Sequence, residues 1–397
     1  MAIRAGNYGA NCVQFIGVEM KSLIFAFCVV FAFGDLRVQT DVWQPSPGQT
    51  QIPIWPGAAP DAEAVPGPES CATTTKLIAG EPVVLVNNVS QPTMTVYSPE
   101  GTNTGVAVVV FPGGGYNCLA IDLEGTEICD WLTSKGITAV LLKYRVPTLR
   151  FEGYRESRQA LQDAQRAVGL VRFRAAEWHV DPHKIGVLGF SAGGHMVAAM
   201  STRFDRRLYP TVDAADEESC RPDFAIALYP GHLWKRRGNL ELNPNVPVSS
   251  NTPPTFILQA QDDPVDPVEN SLAYYIALKK ARVPVEMHLY AQGGHAFGLR
   301  RTEHPITRWP ALAETWLQTI GMTSSGRNSP ATAAVQTRPE RTRPQRFHIV
   351  RQGETLSKIS YHYYGSAGKW RKIFEANRGT VKDPHTIRAG TRLVIPE

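Results

Sequence analysis

The sequence predicts an α/β fold, a mostly parallel sheet covered by helices on both faces, followed by a smaller C-terminal module. The first observation is that short β-branched apolar runs alternate with helical patterns as far as Gly321. One such pattern runs from Ser157 to Trp178, with helically spaced Leu161, Ala164, Val168 and Val171. The second observation is an abrupt change of composition after Gly321, in a chain whose 397 residues exceed one ordinary domain.

The overall composition is that of a globular protein. Hydrophobic residues make up 43% of the chain and charged residues 19%, which is atypical of disordered or membrane proteins. The formal net charge of +5 is small for this length and does not indicate nucleic-acid binding.

Residues 1–34 are predicted to be a secretory signal region. Lys21 precedes an apolar run at 23–33 that is too short to cross a bilayer, and small residues follow at plausible cleavage positions. Residues 1–19 lack this pattern, so Met20 is the expected true start. The prediction is a secreted, periplasmic or cell-wall-associated protein without a membrane span after cleavage; a retained anchor is the alternative.

Four cysteines remain after the predicted cleavage: Cys71, Cys118, Cys129 and Cys220. An even number in an exported chain permits disulfides, and four cysteines allow three pairings. The sequence does not choose among these pairings, and four reduced, partly buried thiols are equally compatible with it.

The first strongly β-branched run, 106–111, ends in a glycine-rich loop, Pro112-Gly113-Gly114-Gly115-Tyr116. Successive glycines let a loop turn its backbone N–H groups inward without Cβ clashes. Preorganised N–H groups stabilise the negative charge that acyl transfer develops on a carbonyl oxygen. We therefore predict an oxyanion hole formed by the N–H groups of Gly114, Gly115 and Ala192; an ordinary flexible loop is the alternative.

A second apolar run, 185–188, leads into Gly189-Phe190-Ser191-Ala192-Gly193-Gly194, and a helical pattern begins at His195. A Gly-x-Ser-x-Gly segment between a strand and a helix is the nucleophile elbow, which exposes the serine oxygen on a strained turn. The segment predicts Ser191 as a nucleophile. The alternative is an ordinary strand-to-helix turn.

A nucleophilic serine requires a base and an acid that orients the base, and both are found downstream. The predicted strand 255–259 is followed by adjacent carboxylates, Asp262 and Asp263. We assign the acid to Asp263, because an Asp-Pro-Val segment begins at this residue, as in the usual acid loop of this arrangement. Asp266 is a weaker third candidate.

The predicted strand 285–290 leads into a glycine-flanked histidine, His295, which we assign as the base. His288 alternates within the apolar strand and is interpreted as structural. His232 and His304 have no comparable setting.

The chain is thus divided into a signal region (1–34), a catalytic domain (35–321), a linker (322–346) and a C-terminal domain (347–397). The linker is rich in Ser, Thr, Pro and Arg and lacks large apolar residues, which predicts an exposed spacer. The C-terminal segment predicts a strand, two helices and a closing strand, near the lower size limit for independent folding.

The motifs that carry a family resemblance are Pro112 to Tyr116, Glu124-Gly125, Leu142 to Pro147, Asp163 to Ala167, Gly189 to His195, Asp262 to Val265 and Gly293 to Gly298. With them, the segment from about Ile52 to Gly321 resembles the α/β-hydrolase esterase/lipase superfamily, and within it secreted esterases of the acetylxylan-esterase and feruloyl-esterase-like kind. Pro112 stands where lipid esterases often have a histidine, which favours the carbohydrate esterases.

The C-terminal segment resembles the LysM module through His348-x-Val350-x-x-Gly353-Glu354-Thr355-Leu356, Trp370-x-x-Ile373 and Leu393-x-Ile395-Pro396. The resemblance implies a βααβ fold that binds peptidoglycan or chitin. It carries two loops over as candidate glycan-binding segments: Gly353, Glu354, Thr355 and Leu356, and Asp383, Pro384, His385, Thr386 and Ile387. Only exposed residues among them are expected to bind.

The two resemblances together imply a secreted serine esterase that deacylates a carbohydrate ester and is tethered to peptidoglycan or chitin. No cofactor and no metal are expected. The alternatives are a peptidoglycan O-acetyl esterase, a serine peptidase of the prolyl-oligopeptidase-like kind, and a catalytically inactive glycan-binding scaffold.

Overall fold

The computed structural model describes residues 36–39, 42–65, 67–146, 157–235, 239–324, 346–364, 366–378, 380–381, 383–384 and 386–396. The predicted signal region and residues 325–345 of the predicted linker lie outside these ranges. The chain divides into two compact units, Met1–Gly326 and Arg327–Glu397.

In the first unit the described strands are β1 (Leu36–Gln39), β2 (Gln51–Pro53), β3 (Ser70–Thr74), β4 (Val84–Asn87), β5 (Thr93–Tyr97), β6 (Ala107–Phe111), β7 (Cys118–Ala120), β8 (Thr138–Lys143), β9 (Ile185–Phe190), β10 (Phe224–Leu228), β11 (Thr255–Ala260) and β12 (Val285–Tyr290). The helices are α1 (Glu127–Ser134), α2 (Arg158–Phe173), α3 (Ala192–Thr202), α4 (Glu269–Lys280) and α5 (Trp309–Thr319).

The central sheet has eight strands in the order β12-β11-β10-β9-β6-β8-β5-β2. The six strands from β12 to β8 run parallel, and β5 and β2 are antiparallel at one edge. Every residue of β6, β8, β9, β10 and β11 is buried, as in a parallel sheet covered on both faces. The predicted α/β fold with a mostly parallel sheet is therefore confirmed.

The strand register determines which loops meet at the carboxyl edge of this sheet. Phe111 is paired with Gly189, so the glycine-rich loop that follows β6 lies beside the turn that follows β9. Ala260 is likewise paired with Tyr290, which brings the loops after β11 and β12 together. Ligands and catalytic groups of open α/β sheets gather at this edge.

A second, antiparallel sheet has the order β1-β3-β4-β7. Its strand β7 follows the glycine-rich loop directly. Cys71, Cys118, Cys129 and Cys220 are all buried, and no disulfide joins any two of them, so none of the three pairings forms. None of the helices among the described residues is long and apolar enough to span a membrane.

Helix α2 is shorter than the pattern predicted, because it ends at Phe173 rather than at Trp178. Val171 is its last buried apolar residue, Phe173 is 52% exposed, and the buried Ala175 is reached in a turn in which its N–H donates to the carbonyl of Arg172. The chain continues in turns, in which Arg174 pairs with Glu177 (2.6 Å) and lies over the ring of Trp178.

The second unit has the predicted βααβ arrangement, with β13 (Arg346–Ile349), α6 (Leu356–Tyr364), α7 (Trp370–Ala376) and β14 (Arg392–Ile395). The strands β13 and β14 pair antiparallel. Seven buried apolar side chains form its small core: Val350, Leu356, Ile359, Ile373, Val381, Leu393 and Ile395.

Candidate active site

The turn between β9 and α3 holds Ser191 in a left-handed backbone conformation, with φ of 52°. Such a conformation is strained for a residue with a side chain and is retained only where the surroundings enforce it. The flanking glycines are part of that enforcement. A Cβ on Gly189 would clash with the carbonyl oxygen of Gly193, and one on Gly193 would clash with that of Phe111.

Three predicted residues from three separate loops meet at this turn. The Nε2 atom of His295 lies 3.0 Å from the Oγ of Ser191, and its Nδ1 atom lies 2.7 Å from an oxygen of Asp263. The serine follows β9, the aspartate follows β11 and the histidine follows β12, as expected for adjacent parallel strands. The geometry is that of a nucleophile, a base and an orienting acid.

The Asp263 carboxylate is held by a complete set of donors. One oxygen accepts the backbone N–H groups of Val265 and Asp266, both at 2.9 Å. The other accepts the side-chain amide of Gln259 at 3.1 Å, beside the histidine. The orientation of the carboxylate, and with it that of the His295 ring, is fixed by the loop that carries Asp263 together with Gln259 of β11.

The environment of His295 favours its protonated form. Burial lowers the pKa of this histidine, but the hydrogen bond and charge of Asp263 raise it, assisted by the charges of Asp266 and Glu124. The net pKa lies above the ordinary value. A base with these neighbours is suited to accept a proton from a hydroxyl group.

The glycine-rich loop lies directly against the serine. A Cβ on Gly113 would come 3.1 Å from the Cβ of Ser191 and 2.8 Å from the carbonyl oxygen of Phe190. The N–H of Gly113 donates to the side chain of Glu124 (2.7 Å), so this N–H is already used in a hydrogen bond within the protein.

The predicted oxyanion donors have backbone conformations compatible with that role. Gly114 and Gly115 have φ of 128° and 63°, and the Gly114 carbonyl accepts the N–H groups of Asn117 and Cys118. Because a trans peptide directs its C=O and N–H oppositely, the N–H of Gly115 is turned away from that bend. Ala192 is the first residue of α3, where N–H groups have no intrahelical acceptor. The role of the Gly114, Gly115 and Ala192 N–H groups as oxyanion donors stays a prediction.

Glu124, which in the sequence is marked only by the Glu124-Gly125 motif, joins the glycine-rich loop to the histidine loop. Its side chain is 1% exposed, and its second oxygen accepts the hydroxyl of Tyr229 at 2.8 Å. The same hydroxyl accepts the N–H of Gly298 (3.2 Å), and the tyrosine ring packs edge-on against His295. Burial raises the pKa of Glu124 to about 7, against the hydrogen bond from Tyr229 and the charge of His295.

The three aspartates of the acid loop have different partners. Asp262 accepts the N–H of Gly294 at 2.9 Å and so braces the histidine loop. Asp266, the weaker third candidate, accepts the hydroxyl of Ser191 at 3.1 Å and lies 3.9 Å from the Nε2 of His295. Sequence reasoning did not anticipate this contact with the serine.

His232, which has no comparable setting in the sequence, also lies beside this site. Its Nε2 is 3.9 Å from Asp266, and it follows the end of β10 in a left-handed conformation, with φ of 57°. Its position directly after a buried strand, in Pro230-Gly231-His232, was the available signal. By contrast, His288 pairs with Glu286 at 2.8 Å, in agreement with a structural role.

A second buried histidine supports the elbow from the helix side. The Nδ1 of His195 lies 2.8 Å from the hydroxyl of Tyr116, which belongs to the glycine-rich loop. Burial lowers the pKa of His195 to about 4, so the ring is neutral at neutral pH. Its partner loop is also fixed by Tyr144, whose hydroxyl donates to the carbonyl of Pro112 at 2.5 Å.

In the second unit the candidate glycan-binding residues divide by exposure. Gly353, Thr355, Asp383 and Thr386 are exposed, whereas Glu354, Pro384 and Ile387 are partly buried. Leu356 is 2% exposed and belongs to the core, so it is corrected to a structural residue. His385 lies outside the described residues.

Several of the candidate residues, exposed or partly buried, stabilise their own turns. Glu354 accepts the N–H of Arg351 and the Nε2 of His348, both at 2.8 Å. Thr386 donates to Asp383 at 2.9 Å. Across the described residues of both units, no group of three His, Cys, Asp or Glu side chains is arranged to hold a metal ion.

Comparison with known proteins identifies both units. The family described as the α/β-hydrolase fold matches residues 108–299, and the LysM domain family matches residues 348–396. The crystal structure of an acetyl ester-xyloside bifunctional hydrolase from Caldicellulosiruptor lactoaceticus is 32% identical, with a TM-score of 0.56; the match covers 69% of this chain and 97% of that one. The chain belongs to the α/β-hydrolase family and carries a LysM domain.

Two curated relatives match one unit each. The acetylxylan esterase of Xylanibacter ruminicola is 30% identical over 228 residues, which is 52% of this chain and 43% of that protein. The potassium binding protein Kbp of Escherichia coli O6:H1 is 49% identical over 51 residues, 13% of this chain and 34% of that protein. The chain therefore spans less than half the length of either curated relative.

Proposed function

We propose that this protein is a serine carboxylic-ester hydrolase that removes acyl groups from a carbohydrate ester, in the manner of an acetylxylan esterase. The observation that carries the proposal is the hydrogen-bonded series Ser191–His295–Asp263, with distances of 3.0 Å and 2.7 Å. Similarity of the same unit to an acetylxylan esterase and to an acetyl ester-xyloside hydrolase supports the substrate class.

In the proposed reaction, His295 takes the hydroxyl proton of Ser191 while the serine oxygen attacks the ester carbonyl. The N–H groups of Gly114, Gly115 and Ala192 hold the resulting oxyanion. The intermediate collapses when His295 gives its proton to the departing alcohol, which leaves an acyl-serine. A water molecule, whose proton His295 takes, then attacks the acyl-serine, and His295 returns the proton to Ser191 as the acid is released. Asp263 keeps the imidazole in the required tautomer throughout.

Replacing the nucleophile tests this proposal. We expect Ser191→Ala to lower acetate release from acetylated xylan by several orders of magnitude, as removal of a triad member generally does. The matched control is Ser98→Ala, which changes an exposed serine after β5 and is expected to keep wild-type activity. A folded Ser191→Ala protein that keeps most of its activity would contradict the assignment.

The LysM domain is proposed to tether the enzyme to peptidoglycan or chitin through the exposed candidates Gly353, Thr355, Asp383 and Thr386. The domain carries no predicted nucleophile–base pair, so its contribution is local concentration on an insoluble glycan. Truncation after Gly321 is expected to abolish cosedimentation with peptidoglycan or chitin and to leave hydrolysis of a soluble acetyl ester nearly unchanged. A folded but inactive truncated protein would contradict the tether.

A peptidoglycan O-acetyl esterase is the second candidate, and the LysM domain favours it because such a domain would hold the enzyme on that polymer. The two candidates differ in which polymer loses acetate. We propose a direct comparison of acetate release from acetylated xylan and from O-acetylated peptidoglycan by the full chain. A faster release from peptidoglycan would replace the first candidate by the second.

Export to the cell wall or medium completes the proposal, on the basis of the predicted signal at residues 1–34 and start at Met20. N-terminal sequencing of the protein from the wall and medium fractions is expected to find a chain that begins shortly after the apolar run. Recovery of the protein only with an intact N-terminus in the membrane fraction would favour the retained anchor.

A further inference from the structure

The hydroxyl of Ser191 faces two acceptors. The Nε2 of His295 lies 3.0 Å from its oxygen, and a carboxylate oxygen of Asp266 lies 3.1 Å from it. The hydroxyl has a single proton, and an ionised carboxylate only accepts hydrogen bonds. In the arrangement that starts the reaction the proton points to His295, so the serine oxygen and the Asp266 oxygen then face each other with lone pairs.

The fold holds Asp266 at this position. Its backbone N–H donates to Asp263 (2.9 Å), which ties it to the acid loop, and its residue is only 3% exposed. Gly231 provides the space on the other side, because a Cβ there would come within 2.7 Å of the Asp266 carboxyl carbon. The N–H of Gly231 donates to the Ser191 carbonyl at 3.2 Å, so the carboxylate is enclosed between the elbow and the loop after β10.

His232 lies beside the same carboxylate. Its Nε2 lies 3.9 Å from the other oxygen of Asp266, which is too long for a direct hydrogen bond. The imidazole side chain is 23% exposed, so solvent and substrate reach it. A hydroxyl oxygen can lie within hydrogen-bond distance of both groups, because it donates to a carboxylate and accepts from an imidazole N–H at the same time.

We propose that Asp266 and His232 bind a hydroxyl group of the alcohol half of the ester, on the carbon next to the scissile ester oxygen. Asp266 lies beside the attacking oxygen, so a hydroxyl bound there is adjacent to the reacting carbonyl. Its donation to the Asp266 oxygen that faces His232 withdraws negative charge from the carboxylate, so Asp266 becomes a weaker acceptor of the serine proton and that proton is left to His295. The site therefore selects partial esters of polyols, such as sugars with a free neighbouring hydroxyl; this inference rests on the proposed esterase function.

Two small acetates test the proposal, because they differ only in the hydroxyl group. They are cyclohexyl acetate and the monoacetate of trans-1,2-cyclohexanediol. We expect the wild-type full chain to have a kcat/KM for the hydroxylated ester about 10- to 100-fold higher, the range for a hydrogen bond to a charged group. Asp266→Asn is expected to reduce this ratio at least tenfold, since the amide replaces the charged acceptor.

His232→Asn is the second variant, which shortens the side chain while tolerating the left-handed backbone, and it is expected to reduce the ratio as well. If thermal unfolding shows that Asp266→Asn does not fold, the kcat/KM ratio of the two esters for His232→Asn tests the proposal. The matched control is Asp205→Asn, which changes an exposed carboxylate after α3 and is expected to keep the wild-type ratio.

Equal hydrolysis of the two esters by the wild-type protein would overturn the proposal and leave the esterase function standing. The proposal is also wrong if Asp266→Asn lowers kcat/KM for both esters by the same factor, because Asp266 then acts only through Ser191. Failure of the wild-type protein to hydrolyse either ester would contradict the proposed esterase function itself, and the hydroxyl site with it.

Discussion

Replacing Glu124 by Gln perturbs the buried connection between the glycine-rich loop and Tyr229 with little change of volume. The amide oxygen can accept the N–H of Gly113, and the amide nitrogen can donate to the hydroxyl oxygen of Tyr229. The glutamine side chain therefore reproduces both contacts that the protonated, neutral carboxyl of Glu124 makes. What the substitution removes is the ionisation of Glu124.

The magnitude follows from the pKa. Burial raises the pKa of Glu124 from an ordinary value of 4.5 to about 7, so the folded chain binds this proton more tightly than the unfolded chain does. The contribution to stability is fully present below about pH 4.5 and is lost as the pH rises through about 7. The whole difference corresponds to about 3 kcal/mol, at about 1.36 kcal/mol per pH unit.

Urea unfolding of the full chain at several pH values between 5 and 8 measures this effect. The free energy of unfolding of Glu124→Gln, relative to wild type, is expected to increase by about 2–3 kcal/mol over this range. The control is Glu100→Gln, which neutralises an exposed carboxyl after β5. A difference between Glu124→Gln and wild type that stays constant with pH would refute the reasoning, since Glu124 would then ionise as an exposed carboxyl does.

Other predictions follow from single contacts. Activity is expected to rise with pH through a pKa above 6.5, because His295 must be neutral to act as a base; Asp263→Asn should move this limb of the kcat/KM profile to lower pH. Asp163→Ala is expected to lower the free energy of unfolding by about 3–5 kcal/mol in urea melts, since it leaves the buried Arg145 without its 2.9 Å ion pair. Gly113→Ala is expected to cost about 1–3 kcal/mol in the same melts, because the added Cβ meets rigid backbone.

The strands and the order of the candidate catalytic residues were predictable because each depends on a local pattern. The β-branched run before Pro112 and the apolar run before Gly189 both form buried strands of the parallel sheet. A side chain placed directly after such a strand reaches the carboxyl edge of the sheet. That rule brings Ser191, Asp263 and His295 to one place without any knowledge of side-chain contacts.

The neighbours of those residues were not predictable, because their roles depend on strand register and on side-chain packing. Glu124 follows the glycine-rich loop in the chain, yet its partner Tyr229 directly follows β10, 105 residues away. His232 lies 3.9 Å from Asp266, a residue of another loop that occupies the space left by the missing Cβ of Gly231. No periodicity or spacing in the sequence marks such pairs, since they are formed by packing between distant segments.

The acid loop places two carboxylates three residues apart, and they face opposite nitrogens of the same imidazole. Asp263 contacts Nδ1 at 2.7 Å, and Asp266 lies 3.9 Å from Nε2. Both charges favour a protonated ring, but only Asp263 can fix the tautomer, because it accepts the Nδ1 proton directly. Asp266 instead shares the serine hydroxyl with Nε2, so it competes with the base for the serine proton. Under the proposed mechanism, one turn of chain thus supplies both the acid that orients the base and, through the proposed hydroxyl site, a group that makes the base dependent on the substrate.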